Sequence, residues 1–193
     1  MPHAVREFDL ARVRRSWSRA IKLHLGLYEG YVKELNALTG NSGRSSAGPA
    51  GEPDAWARRF AFEYNGVVLH ESFFEALSGA AAPLSRDGAL AAALKRSYGG
   101  HAAWLADIRE LAKVRGIGWI ATVASAATGR LHNIWIDQHH LAVPAGAQVL
   151  LVLDLWEHAW ILDYAPSERG RFVTDLVRQL NWSVIEARFD SLP

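Results

Sequence analysis

A chain of 193 residues, half of them hydrophobic, is long enough to close a two-part unit around a real core. Its 21 basic and 20 acidic side chains nearly cancel, leaving no basic block able to hold nucleic acid by its phosphates. The absence of cysteine excludes disulfides, thiolate metal sites and cysteine nucleophiles.

The cysteine-free composition points to the cytoplasm. The N-terminus carries no charged-then-apolar leader pattern, and no run approaches about 18 apolar residues, so no membrane segment is expected. Eight tryptophans exceed what a plain core requires and suggest an aromatic-lined cavity.

From about Phe8 to Thr39, Val13, Trp17, Ile21, His24, Tyr28, Tyr31 and Leu35 recur at steps of three and four. That spacing predicts one long helix, bent near Gly26 and Gly30. Gly40 to Pro53, rich in Gly, Ser, Ala and Pro, predicts a flexible connection. A second helix is expected from Pro53 to Gly79, making an antiparallel helical hairpin with the first. After Pro83, two shorter helices are predicted over 88–96 and 102–113. Beyond Gly116 the pattern turns strand-like over 118–124, 131–137 and 149–154. Helices from about Trp156 and over 168–180, and last turns opening at Asn181-Trp182, complete the chain. The expected fold class is α+β: a long N-terminal α-helical hairpin (1–82), then a small three-stranded antiparallel sheet with helices (83–193).

The chemistry concentrates at the end of the third predicted strand. Val149-Leu150-Leu151-Val152-Leu153 reads as a strand buried on both faces, and Asp154 falls at its end. His158 follows four residues later, so a helix starting there lets the carboxylate and imidazole converge as half of a metal site. The same spacing also suits an ordinary helix start with Asp154 as its N-cap and His158 merely buried. Trp156 and Trp160 would wall either arrangement off from water.

Asp154-Leu155-Trp156-Glu157-His158-Ala159-Trp160 closely resembles the Asp-x-Trp-Glu-His-Ala-Tyr signature of the iron/manganese superoxide dismutase family. Asn65-Gly66, His70, Phe73-Phe74 and Leu77 resemble the family's second-helix motif, with two residues fewer between Asn-Gly and His. Tyr31-Val32-Lys33-Glu34-Leu35-Asn36 resembles the end of its first-helix motif, with His24 one residue closer to the tyrosine than usual.

The resemblance implies that His24, His70, Asp154 and His158 bind one iron or manganese ion, and that superoxide is converted to dioxygen and hydrogen peroxide. Iron is favoured, because Val152 stands where the best-known manganese forms have glycine. Tyr31 is implied at the mouth of the substrate channel and Trp119 in the cavity wall. Gln138 is the first candidate to hydrogen-bond the metal-bound solvent, and His139 the second. Glu157 is implied to reach across a two-fold interface to the partner's equivalent of His158, making a homodimer. The family's other cross-interface pair, a histidine and a tyrosine, is missing, with Leu27 or Tyr28 and Ile161 in those regions. A metal-binding dimer of the same descent that no longer dismutates is the alternative.

Overall fold

The computed structural model describes residues 2–40 and 53–192, with side chains from residue 56 onward in the second stretch. The connection expected between Gly40 and Pro53 lies largely outside the described residues.

Residues 2–14 form an irregular arm instead of the first turns of a helix. The helical spacing that begins at Phe8 is overridden by contacts with distant parts of the chain. Phe8 packs against Tyr28 and Phe74, with ring centroids 5.8 and 5.3 Å apart. The Gly79 N–H donates to the Asp9 carbonyl at 2.8 Å, and the Arg6 N–H donates to the Tyr28 hydroxyl at 3.0 Å. His3 and Asn36 exchange two hydrogen bonds of 2.7 and 2.8 Å. One 3-10 turn, Arg15–Trp17, then leads into helix α1 (Ser18–Gly40), which runs unbroken through Gly26 and Gly30.

Helix α1 buries Ala20, His24, Tyr28, Val32 and Leu35, a stripe of steps of three and four that faces helix α2 (Pro53–Leu77). The pair is antiparallel, as the cross-contacts show. The Trp56 N–H donates to the Leu38 carbonyl at 3.4 Å, Arg59 pairs with Glu34, and Tyr28 donates to Glu71 at 2.8 Å. Along these three pairs one residue number rises as the other falls, and His24 meets His70 near the same end as Tyr28 and Glu71, at a centroid distance of 5.0 Å.

Helices α3 (Ala89–Tyr98) and α4 (His101–Leu111) follow, then strands β1 (Trp119–Ser125), β2 (Leu131–Ile136) and β3 (Ala147–Asp154). The order is β2-β1-β3 with both pairings antiparallel. Central β1 is buried almost throughout, which its run of apolar residues requires. The register sets Trp119 opposite both Ile136 and Asp154, so one end of the sheet presents an indole beside a carboxylate. A single turn, α5 (Glu157–Trp160), leaves that end, and α6 (Arg169–Val177) and α7 (Trp182–Asp190) close the chain. No helix among the described residues is long and apolar enough to cross a membrane.

Candidate metal centre

Four elements deliver one donor each to a common point. His24 comes from α1, His70 from α2, Asp154 from the end of β3 and His158 from α5, and their ligand atoms all lie within 4.8 Å of one another. His24, His70 and Asp154 are buried, and His158 keeps 21% of its side-chain surface exposed. Asp154 Oδ2 lies 3.0, 3.1 and 3.8 Å from the Nε2 atoms of His24, His158 and His70. The His158 contact is a hydrogen bond, whereas the buried Nε2 atoms of His24 and His70 have no hydrogen-bond partner. Such orphaned atoms are costly unless something else satisfies them. Three imidazoles, one carboxylate and no thiolate fit iron or manganese.

The protonation states agree with that fit. Burial lowers the His24 pKa, and burial with neighbouring His24 puts His70 well below the usual imidazole value. For Asp154, burial works upward, but the His158 hydrogen bond and the close approach of the His158 and His24 imidazoles together outweigh it and hold the carboxyl well below its usual range. His70 Nδ1 donates to the Gly66 carbonyl one turn back at 2.5 Å, which leaves the Nε2 lone pair facing the cluster. Asp154 Oδ1 accepts the Trp156 N–H at 2.8 Å while Oδ2 faces the imidazoles. The N-cap of α5 is therefore Trp156 and not Asp154: one Asp154 oxygen holds the N–H of that residue, and the other faces the cluster.

Of the two candidates beside this point, Gln138 is exposed and His139 is buried. The Gln138 backbone sits at φ 52°, in the left-handed region, immediately before the fully buried His139. The His139 ring stacks on Trp156 with centroids 5.0 Å apart. The Trp119 indole donates to His139 Nδ1 at 3.1 Å, and His139 Nε2 lies 2.7 Å from the Tyr31 hydroxyl. An indole N–H can only donate, so neutral His139 carries its hydrogen on Nε2 and gives it to Tyr31 Oη. The hydrogen of Tyr31 itself is then free for another acceptor. Burial and the Asp154 charge push the Tyr31 pKa up to about 12, so the hydroxyl stays protonated.

Glu157, the first residue of α5, is exposed. Asn65, two residues closer to His70 than in the motif it resembles, donates to the His139 carbonyl at 3.0 Å and ties down the segment that carries the imidazole. Phe62 packs on His139 at 4.6 Å, a contact that no local pattern announces.

Burial lowers the His139 pKa from 6.5 to about 4. The unfolded chain therefore binds this proton first, and the metal-free protein is expected to lose stability as pH falls from about 6.5 to about 4. At 1.36 kcal/mol per unit the loss from this group reaches about 3 kcal/mol. Buried His24 and His70 act in the same direction. Denaturant midpoints of the metal-free protein between neutral and mildly acid pH measure it, and a flat profile would refute the assignment.

Gly66 offers a second check. A Cβ there would lie 2.7 Å from Tyr31 Cδ1, and the ring has Phe62 and His139 behind it. Gly66→Ala gains about 1 kcal/mol of helix propensity, against about 1–3 kcal/mol for forcing the ring aside. We expect net destabilisation of about 1 kcal/mol, read as a lower thermal midpoint. A midpoint at or above the parent's would show that Tyr31 moves freely.

Residues 86–188 match the model of the family described as "Iron/manganese superoxide dismutases, C-terminal domain". A superoxide dismutase [Fe] of Cupriavidus metallidurans is 30% identical over 166 residues, covering 84% of this chain and 82% of the relative. A superoxide dismutase [Mn] of Haloferax volcanii is also 30% identical, over 84% of this chain and 81% of the relative. For a superoxide dismutase [Mn/Fe] of Aeropyrum pernix the figures are 29%, 88% and 81%. Matched over more than half its length by that family model and over four-fifths by such relatives, the chain belongs to the iron/manganese superoxide dismutase family.

Proposed function

We propose that this chain is a homodimeric superoxide dismutase holding one iron or manganese ion per subunit through His24, His70, Asp154 and His158. The carrying observation is the pair of buried, unpartnered Nε2 atoms aimed at an ionised carboxylate. A redox-active ion held by these four residues would supply one-electron exchange with superoxide. The segments 1–82 and 83–193 each contribute two donors, so the two parts work as one site. Iron is favoured over manganese on Val152, buried two residues before Asp154.

The remaining residues exclude water and manage protons. Trp119, Trp156 and Phe74 shield the donors, and Trp119 holds His139 in one tautomer. His139 in turn orients the Tyr31 hydroxyl, which holds a proton where peroxide product needs one. Exposed Leu23 and Leu27 on α1, and Ile161 and Leu162 just after α5, support a two-fold interface beside Glu157. The cysteine-free composition supports the cytoplasm as its compartment.

The test is to load the protein separately with iron and with manganese and follow superoxide decay by pulse radiolysis. Decay approaching the diffusional ceiling of about 10⁸–10⁹ M⁻¹s⁻¹ with one metal establishes the activity and names the cofactor. Background decay with both metals, at full metal content, would replace this reading with that of a metal-binding dimer.

A further inference from the structure

A cleft of about 800 Å³, set apart from the metal centre, lies between the start of α4, the end of α3, α6 and the segment 81–84. Its volume falls in the range of small-molecule sites, about 300–1,000 Å³. Four cations line it, Arg86, Lys95, Arg109 and Arg178, and no aspartate or glutamate does among the described residues. In a chain of nearly balanced charge, that is a strong local excess. Only part of it is answered nearby: Arg178 pairs with Asp175 at 3.2 Å, and Arg109 Nε donates to the Thr174 hydroxyl at 3.4 Å.

Leu105, Val177 and Trp182 add apolar surface to the same lining. His101 also lines the cleft, its ring stacked on Trp104 at 5.2 Å and edge-on to Trp182 at 5.1 Å. Its Nε2 is shut off from solvent and has no hydrogen-bond partner. Gly100, the residue before α4, offers no side-chain cap, so the first N–H groups of that helix add to the positive field at the cleft.

We propose that this cleft binds a small organic phosphate, its dianionic head among Arg86, Lys95, Arg109 and Arg178 and its apolar body against Trp182 and Leu105. Guanidinium groups suit phosphate because their paired N–H donors match its oxygens. A cation cluster alone would hold inorganic phosphate equally well, and the apolar surface is what distinguishes the organic ligand. Nothing in this site involves the metal ligands, so its occupancy and the dismutase reading stand or fall separately.

The experiment is calorimetric titration of the metal-loaded protein with 1-naphthyl phosphate and, separately, with inorganic phosphate. Saturable one-to-one binding of naphthyl phosphate is expected, at least about tenfold tighter than inorganic phosphate. Replacing both cations, Lys95→Gln with Arg109→Gln, should weaken it at least about tenfold and leave metal content unchanged. The single exposed change Arg178→Gln provides a milder variant should the double one fold poorly, and it should weaken binding in the same direction. No saturation up to about 10 mM ligand, equal affinity for the two phosphates, or undiminished affinity in the folded variants would each overturn the proposal.

Discussion

Asp154→Asn should strip the protein of stoichiometric iron or manganese without unfolding it. The carboxylate is fully buried, with one oxygen on the Trp156 N–H and the other facing three imidazoles. An asparagine would keep its carbonyl on the Trp156 N–H, because only an oxygen can accept there. Its NH₂ group would then point at the cluster, offering hydrogens where an ion needs a lone pair. The charge that offsets a cation in this dry site disappears as well. After dialysis we expect metal content below about one-tenth of the parent's, in line with losses of about 10–100-fold on changing even outer-shell partners. Superoxide decay should fall in proportion. In the metal-free state the amide can donate to the imidazole nitrogens, so the thermal midpoint should stay near that of the metal-free parent. Parent-level metal content in this variant would remove the cluster as the binding site.

Gly118→Ala is expected to be the most damaging change to the fold. The backbone there sits at φ 148°, and an added Cβ would lie 2.3 Å from the Ile136 carbonyl oxygen, an atom of the neighbouring strand that cannot rotate away. The Gly118 carbonyl also accepts the Leu155 N–H at 3.0 Å, directly after Asp154. Separating β1 from β2 at this end therefore disturbs Trp119 and Asp154 together. Strain with a backbone clash puts the cost at about 3 kcal/mol or more. For a chain of this size that lowers the thermal midpoint by about 6–12 °C. Metal content should fall too, since the sheet register places the carboxylate. A calorimetric midpoint within about 2 °C of the parent's would show that the strands part at little cost.

Much of this architecture could be read from periodicity. The five-residue apolar run before Asp154 marked a strand buried on both faces, and steps of three and four marked the buried stripe of α1. His24, His70, Asp154 and His158 could be singled out as residues, but their meeting depends on α1 and α2 being antiparallel and on one sheet register. The arm was hidden for a physical reason. Residues 8–14 continue a helical spacing, yet their partners lie at Tyr28, Phe74 and Gly79, and no local pattern records such contacts. Which of Gln138 and His139 is buried was equally invisible, because Trp119, Trp156 and Tyr31, which enclose His139, are distant in sequence. Asn65 was obscured by counting residues along the helix, where what matters is the point it reaches, the carbonyl of His139.

The arm also orders events during synthesis. Its anchors include Asn36 on α1, but Glu71, Glu75 and Gly79 are made much later, at or beyond the end of α2. At about 5–20 residues per second, the arm waits several seconds on the ribosome before those partners emerge. Until then Phe8 has no Phe74 to cover, and His24 lacks the same ring at its back. The earliest residues of the chain are thus among the last of the helical hairpin to settle, and they close over it like a latch.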